Sequence, residues 1–148
     1  THVYSSLVMS GGQIGPFVRI RPGCDVGADV RVGNFVELKN ANIGDETKIS
    51  HLTYIGDADF GKNINVGCGC ATVNFNGREK NRTVVGDNAF IGCSTYLVAP
   101  VKVGDNAYTA AGSVITEDVP KDSLALARSR QTIKKGWVTS KKPYKWQK

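Results

Sequence analysis

The sequence predicts an all-β solenoid, a chain wound into stacked triangular coils with almost no helix. Three observations lead there. Branched or apolar residues recur every six positions, small residues fill the slot two before them, and 17 glycines spread through 148 residues mark frequent turns.

The stripe runs Val8, Ile14, Ile20, Val26, Val32 and Leu38. After a step of five it resumes at Ile43, Ile49 and Ile55, after another at Phe60, Val66 and Thr72, and after a longer gap at Val85, Ile91, Leu97, Val103, Thr109 and Ile115. The preceding small slot holds residues such as Gly12, Cys24, Ala41, Thr53, Cys70, Ala89 and Ser113, with Ile64 the one large exception. Each hexad then makes one short strand and one turn: the branched residue points inward and the small one fills the corner, where a bulkier side chain would clash. Three hexads close a coil. The stripe gives about six coils, each about 4.8 Å above the last.

Between Thr72 and Val85 the chain has seven residues too many for one hexad. They leave the coil as a loop within 73–83, and the polar run NFNGREKNR suits an exposed excursion of the kind that marks a binding face. After Ile115 the pattern stops, and Asp118 to Lys121 read as an exit turn. The expected organisation is a β-helix over 1–117 followed by an exit turn and basic tail over 118–148.

The net charge of +6 resides in that tail. Arg128 to Lys148 carries eight Lys/Arg and no acids, so the other 127 residues hold 11 basic against 13 acidic groups, or −2. A basic run beside Trp137, Tyr144 and Trp146 reads as a solvated or partner-docking tail, and nucleic acid is not the expected partner. No stretch approaches the roughly 18 apolar residues of a membrane span, and no signal peptide is evident, so a cytoplasmic protein without a membrane partner is expected. Cys68 and Cys70 lack paired C-x-x-C spacing, so the four cysteines are expected to be free thiols with no metal. A chain that opens on Thr1 is expected to be a piece of a longer protein.

Every third stripe position shares a wall. One wall is Ile14, Val32, Ile49, Val66, Ile91 and Thr109, and the outward residues two positions after its last five members are Asn34, His51, Cys68, Cys93 and Ala111. His51 therefore faces outward beside a column of small residues, a groove for an extended ligand. The adjacent wall carries Ile20, Leu38, Ile55 and Thr72, which puts Arg21 and Lys39 on successive coils with Tyr54 and Asn74 nearby. Two cations so close call for an anion between them, and a phosphate suits both; the alternative is an ordinary pairing with Glu37 or Asp25. A histidine able to take a proton near neutral pH, a phosphate site and a groove suit group transfer from a long donor to a small phosphorylated acceptor.

The segments GPFVRIRPG (15–23), VGNFVELKN (32–40), HLTYIGDADFG (51–61), INVGCGCATVNFNG (64–77) and LVAPVKVGDNAYTAAGSVIT (97–116) resemble the C-terminal half of bacterial bifunctional N-acetylglucosamine-1-phosphate uridyltransferase/glucosamine-1-phosphate N-acetyltransferase. The likeness runs from about Gly15 to Trp137. It implies a left-handed parallel β-helix assembled as a homotrimer, with acetyl-CoA as co-substrate and glucosamine 1-phosphate as acceptor. By motif, His51 matches the general base, and Arg21, Lys39, Tyr54, Asn65 and Asn74 match sugar-phosphate contacts. Phe75 stands where the family often has tyrosine. Cys68, Cys93 and Ala111 match positions lining the acetyl-CoA site, the first two more often alanine or serine, and Arg128 matches a tail residue that contacts the coenzyme. The resemblance implies no metal for acetyl transfer, and the nucleotide-binding half that performs uridylyl transfer is absent from the chain. Two other readings are a hexapeptide-repeat acyltransferase with a different amino-sugar or amino-acid acceptor, and a non-catalytic fragment that binds a polyanion through its tail.

Overall fold

A computed structural model describes residues 1–143, so Tyr144 and Trp146 lie outside the described residues. Inward-pointing residues stack into three parallel ladders, one per face of a triangular prism. On the first, Ile14, Val32, Ile49, Val66, Ile91 and Thr109 lie in register, and Ala125 follows. The second ladder runs Val3, Ile20, Leu38 and Ile55, then Thr72, Leu97 and Ile115. The third runs Val8, Val26, Ile43, Phe60, Val85, Val103 and Val119. All strand pairs are parallel, and the fold is a left-handed β-helix of hexapeptide repeats.

The ladders form the core. Ile20, Leu38, Ile49 and Ile91 are fully buried, each worth about 1.5 to 3 kcal/mol of apolar transfer. The small slots are buried too: Ala41, Thr47, Ala58, Ala89, Thr95 and Ser113 have essentially no exposed surface. Polar slots are mostly bonded, as when the Thr47 hydroxyl donates to the Gly61 carbonyl at 3.0 Å, whereas the buried Thr83 hydroxyl has no partner among the described residues. Glycine follows so many stripe residues because the next coil's backbone passes there. A Cβ on Gly33 would overlap the Ser50 carbonyl, and one on Gly67 would lie 2.5 Å from the Cys93 nitrogen.

Seven rungs stand where about six coils were expected, because the ladders extend past both ends of the predicted stripe. Val3 pairs with Ile20 at one end. At the other, Val119 bridges Val103, Leu124–Ala125 pairs with Tyr108–Thr109, and the Val114 N–H donates to the Ala127 carbonyl at 3.0 Å. The coil therefore runs to about residue 127, past the expected boundary at 117, and Asp118 to Lys121 form its last corner. The step from Ile115 to Val119 is four residues, and Glu117 occupies the small slot, which hid the final coil from a six-residue count.

Two 13-residue strands, Arg31–Ile43 and Lys48–Phe60, run round two corners without interruption. Their five-residue steps, Leu38 to Ile43 and Ile55 to Phe60, shorten one corner. The chain turns it through left-handed φ values of 48° at Asn40 and 51° at Asp57. Directly above, the inserted loop leaves after Val73 and returns at Thr83. It is a small hairpin: Phe75 bridges Lys80, and the Asn76 side-chain oxygen accepts the N–H groups of Arg78 and Glu79, both at 2.9 Å. Arg82 fastens its root with two 2.6 Å bonds to Asp59 and further bonds to the carbonyls of Ala58 at 3.0 Å and Asn40 at 3.2 Å.

Candidate active site

The shortened corner gathers polar groups around one carboxylate. Asp57 is 5% exposed and accepts Lys39 Nζ at 2.9 and 3.0 Å, Asn40 Nδ2 at 2.7 Å and Asn74 Nδ2 at 2.6 Å. Asn74 reaches it because the inserted loop begins there, and its Nδ2 also lies 3.3 Å from the Tyr54 hydroxyl. Gly56 makes this meeting possible: a Cβ would overlap Tyr54 Oη and lie 2.9 Å from Asn74 Nδ2. Burial pushes the Asp57 pKa up, but the bonds from Asn40, Lys39 and Asn74 outweigh it and hold the carboxyl below its ordinary value.

Arg21 and Lys39 are on successive rungs, as the register implies, since the Arg21 N–H donates to the Leu38 carbonyl at 2.8 Å. Each has an acid partner: Lys39 has Asp57, and Arg21 has Glu37 at 3.2 Å, which Arg19 also approaches at 3.9 Å. A bare cation pair is thus not what the corner holds. Lys80, from the loop, is a further basic group that sequence reasoning missed. Its pKa is lowered chiefly by the neighbouring Lys39 and, more weakly, by Arg21. Lys39 is held high by its surroundings, Asp57 among them, against the effect of burial. Four basic groups, Arg19, Arg21, Lys39 and Lys80, gather around two carboxylates, Glu37 and Asp57, so the corner is basic.

His51 begins the same coil three residues before Tyr54. It is exposed, and its carbonyl accepts the Thr53 hydroxyl at 2.7 Å, which pins the backbone that carries the ring. Above it the small column forms. The Gly69 N–H bonds the Leu52 carbonyl, the Ser94 N–H bonds that of Cys68, and the Gly112 N–H bonds that of Cys93, at 2.9, 2.8 and 2.8 Å. Cys68, Cys93 and Ala111 therefore rise in register over His51, all exposed. Arg128 is exposed just past the last rung, about four coils or 19 Å above His51.

Other expected site residues lie apart. Asn65 projects from the first face between Lys48 and Phe90, around the prism edge from Tyr54 and Asn74 on the second. Phe75 is on the loop and 55% exposed. Every described residue from Leu126 onward is exposed, including Trp137 in the short helix Trp137–Lys141. Asp57 and Gly56 escaped notice because Ile55-Gly56-Asp57 reads like the ordinary corner Ile43-Gly44-Asp45; the five-residue step was the available signal. Among the described residues, no three His, Cys, Asp or Glu are placed to hold a metal, and no helix is long and apolar enough to cross a membrane.

With that geometry in hand, three kinds of similarity to known proteins can be set beside it. Residues 82–117 match the Bacterial transferase hexapeptide (six repeats) family. The bifunctional protein GlmU of Acetivibrio thermocellus is 58% identical over 139 residues, 94% of this chain, and that of Shouchella clausii is 55% identical over 92%. The chain spans about 30% of the length of these relatives. A perosamine N-acetyltransferase mutant from Caulobacter crescentus, solved with CoA and GDP-perosamine, superposes with a TM-score of 0.70 at 25% identity, covering 82% of this chain and 54% of that one. The acetyltransferase domain of PglB from Neisseria gonorrhoeae, solved with acetyl coenzyme A, shares the fold at a TM-score of 0.72 and 17% identity, over 79% and 55% of the two chains. Over nearly its whole length, then, this chain is a relative of the bifunctional GlmU proteins, aligned with the C-terminal part that hexapeptide repeats build.

Proposed function

We propose that this chain transfers the acetyl group of acetyl-CoA to the amine of glucosamine 1-phosphate. The observation that carries the reading is the Asp57-centred corner: it holds Lys39, Asn74 and, through Asn74, Tyr54 beside Arg21 and Lys80, in the coil that also bears His51. The cations take the sugar phosphate, and Tyr54 and Asn74 orient the ring. Neutral His51 accepts a proton from the acceptor nitrogen as that nitrogen attacks the thioester carbonyl. The C–N bond forms, the C–S bond breaks, and CoA leaves as its thiol once the proton is returned. The column from Cys68 to Ala111 takes the acyl donor's arm, and Arg128 meets the coenzyme's anionic end. Asp57 stays ionised and keeps Lys39 and Asn74 aimed.

The working unit in this reading is a homotrimer. Asn65 and the Tyr54 group lie on different faces of one prism, so a single acceptor touches both when two copies contribute. Phe17, Phe35 and Leu52 form an exposed apolar stripe at 65%, 63% and 59% on successive rungs beside His51, and a neighbouring copy would cover it. The exposed tail would dock there or on a further copy. A cytoplasmic enzyme fits this substrate pair.

Acetylated sugar is to be measured directly, since the exposed cysteines would react with thiol reagents. His51→Ala should lower turnover by roughly 10² to 10⁴. A loss under about threefold would remove the general-base role, and the absence of acetyl transfer by the parent chain to any amino-sugar phosphate would remove the reading itself. Solution mass should be three times that of one chain.

A further inference from the structure

The inserted loop carries a residue pair found nowhere else in the chain. Ten asparagines occur in the sequence, and only Asn76 is followed by glycine. Glycine is needed there, because Gly77 has a φ of 96°, in the left-handed region that other side chains disfavour. Both residues are exposed at the tip of the Phe75–Lys80 hairpin. The Asn76 Oδ1 reaches across Gly77 to accept the Arg78 and Glu79 N–H groups, both at 2.9 Å, and the Asn76 N–H donates to the Glu79 carbonyl at 3.2 Å. The carboxamide is therefore bridged over the peptide that follows it. Among the described residues nothing accepts the Gly77 N–H.

This arrangement favours attack of a backbone nitrogen on the side chain beside it. Two N–H donors on Oδ1 polarise Cγ and stabilise the oxyanion that forms when Cγ is attacked, as in acyl-transfer sites. Glycine at the attacking position presents no Cβ to obstruct the approach, as an added Cβ at Gly77 would itself meet nothing within 4 Å. We infer that Asn76 is a self-modification site, which converts without an enzyme to aspartate and isoaspartate. The Gly77 nitrogen gives its proton to solvent and bonds to Cγ, the Cγ–Nδ2 bond breaks, and ammonia leaves, so a cyclic imide joins the two residues. Water then opens the imide at either carbonyl. Opening at Cγ gives ordinary aspartate; opening at the Asn76 backbone carbonyl leaves the main chain running through Cβ, as isoaspartate. Overall one water is consumed and one ammonia is released.

The two products act differently on the loop. Aspartate keeps both N–H bonds and strengthens them with its charge. Isoaspartate adds a methylene to the main chain within the turn that the Asn76-to-Glu79 bond and the Phe75–Lys80 bridge close, so the register of the hairpin is lost. Lys80 then leaves the neighbourhood of Lys39, and the corner loses a basic group. Weaker binding of the phosphorylated acceptor follows, and only this consequence rests on the acetyltransferase reading.

The test is to hold the folded full chain at mildly alkaline pH and physiological temperature, without substrate. Peptide fragmentation locates the mass gained when an amide NH2 becomes OH, and methyl uptake with an isoaspartyl methyltransferase counts isoaspartate. Asn76 should convert before the other nine asparagines, and no more slowly in the folded chain than in chain unfolded in guanidinium. Asn76→Ser, which keeps an acceptor oxygen but no carboxamide, should abolish the methyl uptake, with circular dichroism confirming that it is folded. Earlier conversion at another asparagine, undiminished uptake in Asn76→Ser, or a folded rate well below the unfolded one would overturn the assignment. The aged parent should show a raised KM for the acceptor and an unchanged KM for acetyl-CoA, and repair by the methyltransferase should restore the first. An unchanged acceptor KM in chain converted to isoaspartate would overturn the effect on the corner. Conversion is read without turnover, so its outcome is separate from whether the chain acetylates an amino sugar.

Discussion

Lys39 donates to the carboxylate of Asp57 from the next coil at 2.9 and 3.0 Å, and the side chains are 18% and 8% exposed. This pairing, with Asn40 and Asn74 on the same carboxylate, makes Asp57 the residue that decides the shape of the corner. Asp57→Asn leaves Lys39 without its counter-charge and should cost about 3 to 5 kcal/mol, the range for breaking a buried pair from one side. In kinetics the KM for the acceptor should rise while that for acetyl-CoA changes little. Equal changes in both would mean that Asp57 supports only the fold.

The same carboxylate sets a pH dependence. Its folded pKa lies below the unfolded value of about 3.9, so its contribution is complete above that value and is lost as pH falls through the lower folded one. Asp59 behaves alike, held low by Arg82 and Asn42 against burial. Melting temperature should therefore fall steeply below about pH 4, and Asp57→Asn should flatten part of that fall. A variant with the parent's slope would show that Asp57 is not among the titrating groups.

Arg82 and Asp59 are bonded twice at 2.6 Å, yet their side chains are more than a third exposed, so solvent screens the pair. Arg82→Ala should cost under about 1 kcal/mol of global stability. It should nonetheless free the loop root, which limited proteolysis would report as faster cleavage within residues 74–81. Unchanged cleavage would mean that the Phe75–Lys80 hairpin holds itself.

Glycines in the two repeat slots should respond in opposite ways. At Gly12 an added Cβ meets nothing nearer than 3.6 Å, so Gly12→Ala should be neutral or slightly stabilising. At Gly33 the obstacle is the Ser50 backbone, which cannot turn aside, and Gly33→Ala should cost about 1 to 3 kcal/mol or more. Denaturant midpoints would decide, and equal effects at the two sites would contradict the register.

Where the pattern obeyed one rule, the sequence was readable. An inward branched residue every six positions is enough to assign Ile14, Ile49 and Ile91 to one wall, and that assignment puts His51, Cys68 and Cys93 in one outward column. The final coil escaped because Val119 follows Ile115 by four residues and Glu117 breaks the small slot. The inserted loop was visible as surplus length, but its hairpin was not, since the Phe75–Lys80 bridge depends on an Asn76 turn closed by local bonds.

By itself, the sequence determined the solenoid, its three faces, the outward placing of His51 and the closeness of Arg21 to Lys39, because a strict period fixes which residues are neighbours one coil apart. Only the tertiary structure decided what those cations face. The left-handed turn at Asp57 and the return of Asn74 and Lys80 from the loop join residues 17 to 41 positions apart, and no periodicity encodes that meeting. The physical reason is that a buried carboxylate takes its donors from whatever the fold brings within about 3 Å, here a neighbouring coil and a loop that leaves the repeat altogether.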